Sequence, residues 1–201
     1  MMLTAIIVRH GNTFAPDEPP RRIGVRTDIP LVDSGRAQAR ALAALFTREE
    51  PFDRVLAGPL LRTQQTARLI VAAQSNGTTI ETCDWLAEID HGSDEDRTED
   101  DVRARIGTAT LAAWDADAVA PPGWIVDAER RVDAWRGLLE RETGRFLIVT
   151  SNGAARFALL AHPALRRQAG RLPSMKLRTG AWGRITRRDG LLRLETWDQR
   201  P

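Results

Sequence analysis

At 201 residues, with 42% hydrophobic and 28% charged residues, the chain has the size and make-up of one globular domain able to bury a full core. A net charge of only +2, without Lys/Arg tracts or an aromatic platform, argues against nucleic acid as a partner, and a single cysteine, Cys83, excludes an internal disulfide or thiolate metal cluster. The apolar amino terminus meets Arg9 too early for a signal peptide or a membrane span, so no membrane association and a cytoplasmic location are expected.

Leu3 to Val8 is rich in β-branched residues and lacks polar alternation, which predicts a strand buried on both faces, as in a parallel sheet. It delivers Arg9-His10-Gly11-Asn12-Thr13 to the carboxyl edge, where open α/β sheets bind ligands. A guanidinium, an imidazole and a glycine at such an edge suggest an anion site containing a nucleophile. Phe14 to Pro30 holds four prolines and reads as a long functional loop, with Arg21, Arg22 and Arg26 each candidates to reach a phosphate. Ser34 is the expected N-cap of a helix running through Phe46, and Phe52 to Ala57 the expected second strand. Gly58-Pro59 opens the next helix, with Pro59 in its first turn. Arg62 then lies where free N–H groups and the helix dipole favour an anion, whereas Arg68 reads as a surface charge. A third strand is expected around Thr78 to Thr82.

Thr98, followed by Glu99, Asp100 and Asp101, predicts an N-cap and acidic first turn for a helix reaching Trp114. Pro121-Pro122-Gly123 ends that pattern, and another helix is expected from Asp127 to Arg141. Residues 93 to 143 thus predict a helical cap, with Trp114, Trp124 and Trp135 as packing anchors. Phe146 to Thr150 is a further buried strand, with Ser151-Asn152-Gly153 at its carboxyl end. A helix from about Ala154 carries Arg156 and closes at His162, read as its carboxyl-terminal residue. Trp182 to Arg187, Asp189-Gly190 and Leu191 to Trp197 read as a hairpin. The order predicts an α/β fold. It is a three-layer α/β/α sandwich with a mostly parallel central sheet, a helical cap insertion and a C-terminal β-hairpin, all in one domain, 1–201. If the strands before His10 and Ser151 are parallel neighbours, both residues line one crevice, and Arg62 enters it from a helix amino terminus.

Four stretches in this order resemble the histidine phosphatase superfamily, also called the phosphoglycerate mutase-like family. Arg9-His10-Gly11-Asn12-Thr13 matches its Arg-His-Gly-x-Thr signature, and Gly24 through Asp28, Pro30, Leu31 and Gly35 match the following loop and helix start. Pro59 through Ala67 is similar to its second arginine motif, and Leu86-Ala87-Glu88-Ile89-Asp90-His91-Gly92 to its acid motif. The resemblance implies hydrolysis of a small phosphorylated substrate in two steps, with no cofactor and no metal. It implies that neutral His10 attacks phosphorus and forms a phosphohistidine. It implies that Arg9 and Arg62 hold the equatorial oxygens, and that Glu88 protonates the leaving oxygen and then takes a proton from water. Gly11 would let backbone approach the phosphoryl group. Arg21, three residues before Gly24, is an implied auxiliary phosphate contact, and Asn12 and Thr13 are implied donors. Asp90, Asp94 and Glu95 compete with Glu88 for the acid role by proximity.

One position departs from the family pattern. Its His-Gly-x-x-x-Arg motif, in the frame ending at Arg156, has Ser151 in place of the second histidine and Asn152 in place of the glycine. Losing one such donor costs roughly a hundred- to a thousandfold in rate if nothing compensates. Three readings follow: a working, divergent phosphatase in which Ser151 or Asn152 donates to the phosphoryl group; a non-catalytic member that binds phosphorylated ligands or a protein; or an enzyme in which His91 supplies the missing imidazole. A mutase fits less well, because the cap is modest and Asp94, Glu95 and Asp96 near an entrance would disfavour a doubly phosphorylated ligand, unless they point to solvent as an acidic run at a helix start usually does. A hairpin edge and exposed tryptophans would permit a homodimer.

Overall fold

A computed structural model describes residues 2–201. The first strand, β1 (Leu3–Arg9), is followed by the short β2 (Arg21–Arg22), α1 (Asp33–Phe46), β3 (Arg54–Ala57), α2 (Leu61–Val71) and β4 (Ile80–Thr82). Then come β5 (Arg97–Thr98), α3 (Glu99–Ile106), α4 (Thr108–Asp117), α5 (Ala128–Arg141) and β6 (Gly144–Thr150). The chain closes with α6 (Asn152–Leu160), α7 (Pro163–Ala169), β7 (Trp182–Arg188) and β8 (Leu191–Gln199). Six strands form one sheet in the order β4-β3-β6-β1-β7-β8, parallel across its first four and antiparallel through the hairpin. No helix among the described residues is long and apolar enough to cross a membrane.

Strand periodicity divides the core in two. Ile6 and Val8 of β1 point to one face and pack with Leu42, Phe46 and Ile70 of α1 and α2. Leu3, Ala5 and Ile7 point to the other and pack with Trp135, Leu139 and Phe157 of α5 and α6. A run apolar at every position is therefore the expected sequence of a strand covered by helices on both sides. The predicted 93–143 segment is divided in space. Its first half, α3 and α4, stands over the carboxyl edge of the sheet. α5 instead packs beside α6 in the helical layer.

Several local expectations are corrected. Val32, not Ser34, precedes α1, and Ser34 Oγ instead accepts a 3.2 Å hydrogen bond from Asn12 Nδ2. Pro59 lies outside α2, whose N-cap is Leu60. Thr98 does cap α3, accepting from Asp101 N, but Gly107 at φ +84° breaks the expected continuous helix before α4. α6 starts at Asn152, directly after Ser151. His162 ends no helix: it is the N-cap of α7, where its Nδ1 accepts from Ala164 N at 3.1 Å. None of the six tryptophans is exposed, so that support for a homodimer falls away. The hairpin turn has Asp189 and Gly190 both at positive φ, as a two-residue turn matching the sheet twist requires.

Candidate active site

In-register pairing of β1 with β6 ends at Arg9 opposite Thr150, and His10 N donates to Thr150 O at 3.1 Å. His10 and Ser151 therefore leave the sheet side by side. β7 runs antiparallel to β1, so the segment before it must return to the same edge; Gly180 N donates to His10 O at 3.1 Å and straps that segment down. Around this point lies a cleft of about 760 Å³, lined among others by Arg9, His10, Asn12, Thr13, Arg21, Glu88, His91 and Asn152.

His10 is only 3% exposed, and its Nδ1 lies 2.8 Å from Gly11 O. A carbonyl oxygen can only accept, so Nδ1 carries the proton and Nε2 keeps a free lone pair. Burial, with Arg62 and Arg9 nearby, pushes the imidazole well below the usual histidine range, so it is neutral at physiological pH. Gly11 also has a reason within the fold: a Cβ there would lie 2.3 Å from Gly35 O, so the glycine lets the strand-end loop touch the first turn of α1.

Glu88 is buried, and its carboxylate is held from two sides: Oε1 accepts from Ile89 N at 2.9 Å and Oε2 from Gly153 N at 3.2 Å. Burial pushes its pKa up, but His91, the Ile89 N–H, Arg62 and the Gly153 N–H together outweigh this and hold it below the ordinary glutamate value. The competing acids are occupied elsewhere and do not line the cleft. Asp90 pairs with Arg26, Asp94 with Arg105 and Trp124 Nε1, and Glu95 accepts from Gly24 N and Thr27 Oγ1. Asp96 pairs with Arg21 at 3.2 Å. Asp94, Glu95 and Asp96 thus form no acidic entrance, since none of them lines the cleft and each is paired.

The two expected clamp arginines differ. Arg9 lines the cleft, with Nη1 donating to Leu177 O at 2.8 Å. Arg62 is 0% exposed and stands behind the wall, its Nη1 and Nη2 donating to Thr27 O and Gly24 O at 2.7 and 3.0 Å. Its charge nevertheless acts on both His10 and Glu88. Burial lowers the pKa of both guanidiniums.

Of the loop arginines, Arg21 and Arg22 line the cleft, whereas Arg26 does not; Arg26 ties Asp90 and Gly92 O together. Ser151 is fully buried, its Oγ has no hydrogen-bond partner, and it offers no surface to the cleft. Asn152 does line the cleft. Its Oδ1 accepts from Leu177 N at 2.9 Å, which leaves Nδ2 as an available donor. Buried His91 also lines the cleft, its ring edge-on to Trp124 at 4.5 Å and its Nδ1 3.7 Å from Glu95 Oε2.

Two supporting residues escaped the sequence reading. Gly153 has no room for a Cβ, which would lie 2.2 Å from Glu88 Oε1. Arg131 of α5 donates to Val126 O, Trp85 O and Ala87 O at 2.7, 3.1 and 2.6 Å, so it fixes the backbone that presents Glu88. Position beside a named motif was a signal for the first; nothing in the sequence singled out Arg131 among the other arginines.

A family model for the histidine phosphatase superfamily (branch 1) matches residues 5–200, and the chain belongs to that family. It is 37% identical over 99 residues to "Probable phosphoglycerate mutase GpmB" of Yersinia pestis, a match covering 49% of this chain and 44% of that relative. The chain thus aligns with less than half the length of that protein. Three solved structures share the fold. They are mycobacterial hydrolase 1 (TM-score 0.80, 21% identity, all of both chains), a mycobacterial glucosyl-3-phosphoglycerate phosphatase (0.78, 22%, 98% of this chain and 99% of that one) and the alpha-ribazole phosphatase of Shigella flexneri (0.73, 23%, 98% and 96%).

Proposed function

We propose that the chain is a metal-independent phosphomonoesterase working through a phosphohistidine on His10. The observation that carries this reading is the imidazole itself: neutral, proton fixed on Nδ1 by Gly11 O, and Nε2 left free in a cleft it shares with Glu88. In the first step the Nε2 lone pair attacks phosphorus and the P–O bond to the leaving group breaks. Nδ1–H stays on Gly11 O and disperses the positive charge the ring acquires. Arg9 at the surface and Arg62 from behind meet the negative charge on the equatorial oxygens, and Asn152 Nδ2, one residue beyond the position of the family's second histidine, donates to the phosphoryl group. Glu88 passes a proton to the leaving oxygen. Because the resting carboxylate is ionised, that proton arrives with the monoanionic form of the substrate. In the second step water attacks phosphorus, the P–N bond breaks, and Glu88 takes the water proton, releasing phosphate and neutral His10.

One pair of observations favours a second reading, a binding protein without turnover: Ser151 is hidden, and Arg62 is fully buried with each nitrogen of its fork donating to a loop carbonyl. Steady-state hydrolysis of p-nitrophenyl phosphate separates the two. The phosphatase reading expects turnover that falls by on the order of 10⁴-fold or more in His10→Ala, as for other nucleophile deletions. Phosphate binding without turnover supports the second reading; equal rates in parent and variant reject the first.

A further inference from the structure

The cleft lining is cationic: eight of its residues are arginine or lysine against four carboxylates, although the whole chain carries a formal charge of only +2. One cluster in that lining holds a buried cation that is incompletely neutralised. Arg156 of α6 is 0% exposed, with its guanidinium 4.2 Å from the centre of the Trp114 ring and Nη1 donating to Trp114 O. Its Nε has no partner, and the nearest carboxylate, Asp115 Oδ1, is 3.8 Å from Nη2. The same Asp115 holds Lys176 Nζ at 2.7 Å with its other oxygen. Lys176, the one lysine among 29 basic residues, has half of its side chain open to solvent. One carboxylate is thus shared between a buried cation and an accessible one. Buried charge left incompletely neutralised in low dielectric favours a further anion nearby.

We propose that Lys176, backed by Arg156 and gated by Asp115, forms a second anion subsite, and that the substrate is a phosphomonoester carrying another anionic group away from the ester. This rests on the phosphatase reading above and specifies its substrate class. Three observations converge on it. A cleft of about 760 Å³ holds far more than a phosphoryl group, and it is of the size of ordinary small-ligand sites. The acids that would have repelled a second anion, Asp94, Glu95 and Asp96, are engaged elsewhere. The cluster also joins three separate elements, α4, α6 and the segment before β7, on the wall of the same cleft as His10.

Rigid aryl esters test the proposal, because they fix how far the second group stands from the phosphorus. 4-Carboxyphenyl phosphate is compared with 4-carbamoylphenyl phosphate, a neutral ester of similar shape, and the 3-substituted pair is run beside it. 1,4-Phenylene bisphosphate distinguishes a second phosphoryl group from a carboxylate. The anionic ester should be preferred by about tenfold or more in kcat/KM, mostly through KM, as for one charge-assisted contact. Lys176→Met should bring that ratio to within about twofold of unity. Asp115→Asn, which removes the competing carboxylate, should raise it. Arg68→Met, an exposed charge on α2 outside the cleft, should leave the ratio where it was. A preference for no anionic ester, or ratios that move in the same direction in both cluster variants, overturns the subsite while leaving the phosphatase reading in place. Hydrolysis of none of the esters overturns both.

Discussion

The floor and the rim of the cleft are both rich in arginine, but they hold their charges differently. On the floor, Arg9 and Arg62 donate to backbone carbonyls, and Glu88 accepts from backbone N–H groups. Around the rim, Arg22 pairs with Glu99, Arg103 with Asp100 and Arg178 with Asp198, all through partly exposed side chains. A charge satisfied by neutral backbone dipoles keeps its full field for a ligand. A charge already paired with a side chain must exchange partners before it binds anything, and an exposed pair contributes little to stability. On the proposed function, the floor would serve the chemistry and the rim the selection.

That contrast breaks down most visibly if floor substitutions fail to act on kcat. Glu88→Gln keeps the shape but removes the titrating oxygen, so kcat should fall by about 10²- to 10⁴-fold with activated and unactivated esters compared in the same assay. The deficit should be smallest for the p-nitrophenyl ester, whose leaving group needs protonation least. Asn152→Ala deletes the proposed donor to the phosphoryl group, and stopped-flow measurement of phosphoenzyme formation should show a loss of on the order of 10²-fold. Loss of the same size in His91→Gln, with Asn152→Ala near the parent rate, would instead assign the vacant role to His91.

The floor's pKa directions give a sharper test. With His10 neutral and Glu88 ionised, the reactive pair is free enzyme and substrate monoanion. Thus kcat/KM should decline as pH rises past the phosphate's second pKa of about 6, and the acid limb set by His10 should lie below pH 6.5. Stability follows the same groups. The unfolded state binds the His10 proton more readily than the native state, so that contribution is complete above the unfolded pKa of about 6.5. It is lost as pH falls from there through the depressed native value, as denaturant titrations across that range should show.

The smallest effect belongs to the rim. Thr98→Ala removes the α3 cap and should cost about 1 kcal/mol of stability in urea unfolding, with kcat unchanged.

The place of Arg9 and His10 was legible in the sequence because strand periodicity and chain order decide it, whereas Glu88 stood out only through the resemblance of its motif. An all-apolar run such as Leu3 to Val8 must be covered on both faces, and whatever follows it must emerge at the sheet edge. The rim was not legible. Residues 170–181, which bring Lys176 and Arg178 to the cleft, have no apolar period; only the antiparallel pairing of β7 with β1 places them there. The acidic stretch misled for a related reason. Composition shows that Asp94, Glu95 and Asp96 are charged, but not that Arg105, Gly24 and Arg21 draw them away from the opening. Gly11 shows the same limit at the scale of one atom. The signature reveals that a Cβ is excluded there, whereas only the fold shows that the excluded space belongs to Gly35.

The central claim is that His10 Nε2 becomes bonded to phosphorus during turnover. Rapid acid-free quenching during hydrolysis of p-nitrophenyl phosphate, followed by mass spectrometry of the proteolysed chain, should find an acid-labile phosphoryl group on His10 that forms and decays at rates compatible with kcat. Turnover with no phosphoryl group on His10, or with one on another residue, would contradict the account.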